Sequence, residues 1–270
     1  MKIATWNVNS LKVRLEQVLA FLEKTKCDAL GLQETKLQDD FFPEEAFEKA
    51  GYGCFFSGQK TYNGVAVLVR RDTTRASDPV RGIPGYPDEQ KRLIGVTLSK
   101  EGCGPVRFFS AYFPNGTAPG SKKYLYKIEW LAALQNFLAD ELKSHPRLVL
   151  AGDMNIAPED RDVWDPEGWK GHILVSEGER DAFASLLATG LKDAFRLAQQ
   201  PEGSWSWWDY RHSAFLKNQG LRIDHILVSQ PLVPEVSQVV IDRSFRALPQ
   251  PSDHAPVICT LQEGELSLPL

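Results

Sequence analysis

Short apolar runs that stop abruptly at Gly, Asn, Pro or a charged residue alternate along this chain with stretches of helical period. Leu148-Val-Leu-Ala151 runs into Gly152, Asp153, Met154 and Asn155, which reads as a buried strand that turns at its exit. Lys2 to Trp6 and Asp28 to Gln33 are strand candidates of the same kind. From residue 51 to 98 the pattern changes to antiparallel strands at Tyr52 to Ser57, Gly64 to Arg70 and Leu93 to Leu98, with Asp72 to Gln90 reading as a polar loop. Val106 to Tyr112, Gly220 to Ser229, Val236 to Ile241 and the segment entering Val257 add further strands. Ser10 is expected to cap a helix in which Leu11, Leu15, Val18, Leu19 and Leu22 recur at helical spacing. Lys122 to Lys143 predicts one long helix with Leu125, Ile128, Leu131, Leu134, Phe137, Leu138 and Leu142 as its buried stripe, stopped by His145-Pro146. Arg180 to Leu187 and a short segment near Ala194 also read as helical.

At 270 residues, with no repeat, low-complexity segment or linker, the chain is expected to be a single domain, 1–270. A hydrophobic fraction of 43%, including 14 Phe and 7 Trp, is enough for a large core. Against 35 acidic residues stand 31 basic ones, so composition does not announce a nucleic-acid binder, although a few local basic residues can form such a face. Cys27, Cys54, Cys103 and Cys259 are scattered, without zinc-site spacing, and read as small hydrophobes in a reducing compartment. Met1-Lys2 leads straight into a strand and no apolar run reaches membrane-span length, so a cytoplasmic, soluble protein without a membrane partner is expected.

The chemistry sits where strands end. Asp153 and Asn155 are two apart, so an extended backbone would point them to one side, and Asn7 and Asn9 repeat that spacing. Glu34 follows the apolar 28–33 run, and Tyr112 and Asn115 leave another strand through Pro114-Asn115-Gly116. Asp224 lies among Ile and Leu and needs a partner, since an unpaired buried charge is costly. His254, beside Asp253, is available to it, which suggests an Asp–His dyad. Any one of these sets would ordinarily just bond its own turn; their recurrence in one chain points to a site. Hard oxygen donors without clustered His or Cys suit Mg²⁺ or Mn²⁺ and not zinc. With no phosphate-cradling Gly-rich loop and no Ser–His or Cys–His arrangement, the set fits hydrolysis of a phosphate ester by activated water. Trp205 to Arg211 holds three Trp and a Tyr, and reads equally as a core plug or as a stacking wall for bases or sugars.

These residues carry a family resemblance. Trp6-Asn7-Val8-Asn9, Leu32-Gln33-Glu34-Thr35-Lys36, Gly152-Asp153-Met154-Asn155 and Ser252-Asp253-His254-Ala255-Pro256 resemble the endonuclease/exonuclease/phosphatase superfamily. Tyr112-Phe113-Pro114-Asn115-Gly116, Trp207-Trp208-Asp209-Tyr210 and Leu221-Arg222-Ile223-Asp224 resemble its exonuclease III branch of apurinic/apyrimidinic endonucleases, in family order over nearly the whole chain. The resemblance implies a four-layer α-β-β-α sandwich of two mostly antiparallel mixed sheets flanked by helices. It implies a monomeric DNA-repair nuclease of base excision repair that cuts duplex DNA 5′ to abasic sites and trims or cleans 3′ ends. Glu34 would be the main Mg²⁺ or Mn²⁺ ligand, with Asn9, Asp253, Asp153 and Asn155 as the other metal-site candidates. Asp153 would orient or deprotonate the attacking water, with Asn155 holding it in line. Asp224 would fix His254 against the phosphoryl oxygens, and Asn7, Tyr112 and Asn115 would position the phosphate. Trp207, Leu221 and Ile223 match the pocket for an extruded base-free sugar, and Arg211 is among the basic residues that could meet DNA. Two positions depart from some relatives: Asn9, where they carry Asp, and Leu221, where they carry Trp. The absence of a basic N-terminal extension points to a bacterial enzyme.

Two other classes are compatible with such a fold. A phosphatase of small phosphate esters would need basic residues shaped around a compact polyanion, and the Trp-rich loop argues against it. A catalytically silent DNA-binding module would not need the full set of acids and amides.

Overall fold

A strand such as Val65–Arg70, whose first five residues are all buried, needs apolar cover on both faces. The computed structural model, which describes residues 1–262, supplies that cover by packing two sheets face to face and laying helices on their outer sides. The first sheet contains β1 (Lys2–Asn7), β2 (Ala29–Gln33), β3 (Tyr52–Ser57), β4 (Val65–Arg70), β11 (Val236–Ile241) and β12 (Val257–Leu261), in the order β11-β12-β1-β2-β4-β3. The second contains β5 (Thr74–Arg81), β6 (Leu93–Lys100), β7 (Cys103–Tyr112), β8 (Leu148–Asp153), β9 (Leu191–Asp193) and β10 (Asp224–Ser229), in the order β5-β6-β7-β8-β10-β9. Helices α1 (Leu11–Thr25) and α2 (Glu44–Lys49) cover the first sheet, and α3 (Lys122–Ser144) and α5 (Glu177–Ala188) the second; the single-turn α4 (Pro166–Trp169) lies between β8 and α5.

Strand alternation sorts the core into layers. Ile3, Val67, Phe108, Val149 and Ile226 meet between the sheets, whereas Ala4, Leu30 and Leu68 face α1 and Leu148 and Leu150 face α3. Each sheet is antiparallel except for one pair, β1 with β2 and β7 with β8. β12 and β10 run antiparallel beside those pairs, so they begin at the edge where β1, β2, β7 and β8 end. Asn7, Glu34, Tyr112, Asp153, Asp224 and His254 therefore collect at one rim of the sandwich.

Most predicted elements form, and the exceptions have physical causes. The expected loop 72–90 contains β5, an edge strand with alternating exposed polar residues and a register shift between Ser77 and Val80 that blunt its apolar signal. Ser10 precedes α1 but makes no side-chain cap, because its backbone lies at φ 92° and not in the extended region of an N-cap. On α3, Leu125 is exposed and Lys127 is buried in its place. The strand expected from Gly220 starts at Asp224; before it, Leu221 forms isolated bridges with Val163 and Trp207. Of the four cysteines expected to be buried, Cys27 and Cys259 lie in the core, whereas Cys54 and Cys103 are only partly buried. Among the described residues no helix is long and apolar enough to cross a membrane.

Candidate active site

Asp153 is the last residue of β8, is 1% exposed, and stands in register between Tyr112 on β7 and Asp224 on β10. The preceding position must be glycine: a Cβ on Gly152 would lie 1.8 Å from the Ala111 carbonyl oxygen. Asn155 does not share a side with Asp153 by extended spacing. Its φ of 49° turns the chain back, its N–H donates to Asp153 Oδ1 (3.0 Å), and its Nδ2 donates to the Phe113 carbonyl (3.0 Å). Asn9, at φ 43°, likewise turns, with its N–H on Asn7 Oδ1 (2.9 Å). Glu34 is also left-handed, at φ 50°, a conformation that costs a glutamate on the order of 1 kcal/mol. Neighbouring chain segments hold it there: the Ser10 N–H donates to the Glu34 carbonyl (2.8 Å) and the Thr35 N–H to that of Gly64 (3.1 Å).

These turns bring the side chains together. Asn7 Nδ2 donates to both Glu34 Oε1 (2.9 Å) and Asp153 Oδ2 (2.8 Å), joining the two sheets' carboxylates. His254 Nδ1 lies 2.8 Å from Asp224 Oδ2, which is the dyad expected from sequence, and its Nε2 lies 3.7 Å from Asp153 Oδ2. Asn115 Nδ2 donates to Asn155 Oδ1 (3.1 Å), so the carboxamides of two separate turns touch.

The electrostatics follow from burial. Removal from water raises the Asp153 carboxyl to about 7; Asp224 and Glu34 add to this, while His254 and the Asn7 amide oppose it. Burial would lower the His254 imidazole, but the carboxylates of Asp224 and Asp153 outweigh it and hold the ring up at about 10. His254 is therefore an imidazolium at neutral pH, with Nε2–H free to donate. Burial, then the charges of Glu34 and Asp153, keep the Tyr112 phenol well above its usual range, so it too is a donor.

Glu34, Asp153 and His254 offer potential ligand atoms within 4.8 Å of one another. His254 is engaged through Nδ1 by Asp224, and the rest of the set is carboxylate and carboxamide oxygen, the donor class of a hard divalent cation. The two carboxylates beside Asp224 form a negative cluster that such a cation relieves, so the residues fit one. Asp253 lies outside this group: it accepts from Asn9 Nδ2 (2.9 Å) and from Trp207 Nε1 (2.9 Å). The Asn9 oxygen accepts in turn from Lys36 Nζ (2.6 Å), whose ammonium is 3.1 Å from Glu34.

The Trp-rich loop resolves residue by residue. Trp205 and Trp208 are buried as a plug with Ala214 and Ala255, while Trp207 is half-buried beside Asp253. Leu221 and Ile223 are enclosed with Val163 and Leu174 behind Trp207, so they back that indole and present essentially no surface themselves. Arg211 is exposed and paired with Asp209. Two buried residues escaped the sequence reading. Ser206 Oγ donates to Asp224 Oδ2 (2.6 Å) and accepts from the Ile223 and Asp224 N–H groups. Lys127 interrupts the apolar stripe of α3, the one signal that could have revealed it.

A histidine that carries its proton can donate to a developing anion but cannot activate a serine or cysteine. With hard-cation donors alongside, the arrangement defines a metal-dependent phosphoesterase on an α-β-β-α sandwich. Residues 4–254 match the Endonuclease/Exonuclease/phosphatase family, and the chain belongs to it. It is 39% identical over 267 residues to exodeoxyribonuclease III of Haemophilus influenzae, covering 95% of this chain and 98% of that protein. A Neisseria 3′ phosphatase, solved bound to a product DNA hairpin, is 46% identical over 97% of this chain and 99% of its own, with a TM-score of 0.92. An AP endonuclease from Archaeoglobus fulgidus superposes with a TM-score of 0.90 at 34% identity, covering 97% of this chain and 99% of that one.

Proposed function

We propose that this protein is a Mg²⁺- or Mn²⁺-dependent repair nuclease that hydrolyses duplex DNA 5′ to abasic sites and removes nucleotides or blocking groups from 3′ ends. The observation that carries this reading is Asp153, buried and raised to about 7, held between Asn7, Asn155 and the His254 imidazolium. A general base works best when its pKa lies near the operating pH, which suits Asp153 to take the proton of the attacking water. Asn155 holds that water in line. His254 donates Nε2–H to a phosphoryl oxygen as negative charge builds, and Asp224 fixes the ring and keeps its proton on. Asn7, Asn115 and the protonated Tyr112 position the phosphate. Glu34, with the oxygens of Asp153 and Asn155, would hold the cation; Asn9 and Asp253 stand beside them. When bound there, the cation would supply positive charge to offset the charge building on the phosphate and its leaving oxygen.

Trp207, backed by Leu221 and Ile223, forms an apolar wall for a sugar without its base, and an abasic site needs no base unstacked to reach it. Arg211 stands exposed on the same loop, its charge offset by Asp209. The names of the relatives, exodeoxyribonuclease III, 3′ phosphatase and AP endonuclease, support the same substrate class. A monomeric, single-domain, cytoplasmic enzyme of base excision repair is the corresponding setting. The test incubates the protein with a duplex carrying one abasic analogue and with an undamaged duplex, with Mg²⁺, with Mn²⁺ and with chelator. Metal-dependent nicking 5′ to the lesion, or shortening from the 3′ end, is expected. If neither duplex is cut with either metal, the nuclease assignment fails and small phosphate esters become the substrates to try.

A further inference from the structure

The turn that carries Asn155 is held at three successive carbonyls by side chains from three elements. Lys127 Nζ on α3 donates to the Asn155 carbonyl (2.7 Å), His225 Nε2 on β10 lies 2.9 Å from that of Ile156, and Arg180 Nε on α5 donates to that of Ala157 (3.2 Å). Lys127 does more than the other two. The same ammonium donates to the Asn115 carbonyl (3.2 Å) and pairs with Glu179, and both side chains are wholly buried. Glu179 in turn accepts from the Leu174 and Ser176 N–H groups and the Ser176 hydroxyl, fixing the entry to α5.

An ammonium has three N–H bonds, and Lys127 directs all three at protein. It has no donor left for substrate or water. Stability does not explain its presence, because a buried ion pair can often be replaced by apolar residues at no net cost. The stripe it interrupts, with Leu131, Leu134 and Leu138, would accept such a residue. What the ammonium does that a methyl group could not is tie together the two turns whose carboxamides, on Asn115 and Asn155, touch at 3.1 Å. We infer that Lys127 is a positioning residue that sets the placement of the Asn115 and Asn155 carboxamides, and so controls turnover and not substrate affinity. The inference rests on the roles given above to those two asparagines. Misplacement of a positioned group by about 1 Å can cost around a hundredfold in rate, and only where the geometry matters is it felt.

The experiment compares wild type with Lys127→Met combined with Glu179→Gln, which removes both buried charges while leaving an acceptor for Ser176. Steady-state cleavage of the abasic duplex is measured well below each melting temperature. A fall in kcat of at least tenfold with KM within threefold is expected. In an Asn115→Ala/Asn155→Ala background the same pair of changes should cost less than threefold, because both groups being positioned are gone. Phe47→Leu, in the core under α2, serves as a destabilised control that keeps kcat. The inference is overturned if kcat stays within twofold of wild type, if KM rises while kcat holds, or if the loss is as large in the Asn115→Ala/Asn155→Ala background. Should the methionine variant give no cooperative melt, Lys127→Gln with Glu179→Gln is judged by the same criteria. A wild type that cuts neither duplex overturns the proposed function and this inference with it, whereas an active wild type with unaffected variants overturns this inference alone.

Discussion

Replacing Asp224 by Asn tests the electrostatics of the site most directly. The Asp224 carboxylate sits 2.8 Å from His254 Nδ1 and is the largest contribution holding the buried ring up at about 10. A unit-charge pair about 4 Å apart in a medium of effective dielectric near 20 interacts by roughly 4 kcal/mol, worth about three decades of proton affinity. Losing that charge should bring the imidazole down to roughly neutral pH. Asp224 also helps to raise Asp153, so the base should titrate lower in the variant as well. Both changes move the pH optimum to the acid side. At pH 8 the variant's ring is largely uncharged and no longer fixed in orientation or tautomer, and kcat should fall by about 10² to 10⁴. Stability carries the same signature. A histidine whose folded pKa lies above its unfolded one stabilises the fold fully below about 6.5, and that stabilisation disappears as pH climbs through the folded value. The wild-type margin over Asp224→Asn should therefore shrink between pH 7 and 10. Nitrogen-detected NMR titration of the His254 ring, pH–rate profiles and thermal melts read the three effects. A ring that still titrates near 10 in the variant, or an unshifted optimum with kcat within threefold, refutes the reasoning.

Three further outcomes follow from neighbouring contacts. Ser206→Ala leaves the Ile223 and Asp224 N–H groups without their side-chain acceptor and the Asp224 carboxylate with His254 alone as its side-chain donor, so it should cost about 1–3 kcal/mol in chemical denaturation and loosen His254 enough to lower kcat. Glu34→Gln removes a charge from the proposed metal site; the metal concentration for half-maximal cleavage should rise at least tenfold with little change in melting temperature, and equal metal dependence would remove Glu34 from that role. Burial would raise the Asp28 carboxyl, but the Lys2 N–H, Lys100 and Thr73 overcome it and lower it below its usual range. Its stabilisation is thus present above about pH 4 and lost on further acidification. Asp28→Asn should cost about 1 kcal/mol at pH 7, given that Lys100 is partly exposed, and progressively less on acidification below about pH 4, as read from urea melts across that range.

How much of this was legible in the sequence depends on what kind of contact fixes each residue. Strand β8 and the α1 stripe announce themselves because burial on a regular element imposes a period, and Asp224 announces itself because a carboxylate among Ile and Leu demands a partner. Strand β5 stayed hidden because an edge strand with polar alternation and a bulge carries the same signal as a loop. The site was legible as a set of residue types at strand ends, yet not for the geometric reason first available. Asn9 and Asn155 face their partners through left-handed turns and bonds to their own i−2 side chains, not through extended two-residue spacing. Those turns are stable only because distant segments, such as the Lys127 ammonium and the Phe113 carbonyl at Asn155, hold them. Nothing local in the chain encodes such contacts, since they join residues 28 and 42 positions apart. The same physics limits what the chain says of Leu221 and Ile223: apolar residues next to a strand start declare burial, but not which indole they are buried under. Side-chain chemistry at the rim can therefore be read from types and spacing, whereas its pointing direction is set by long-range bonds to backbone carbonyls, and there the Lys127 variants act.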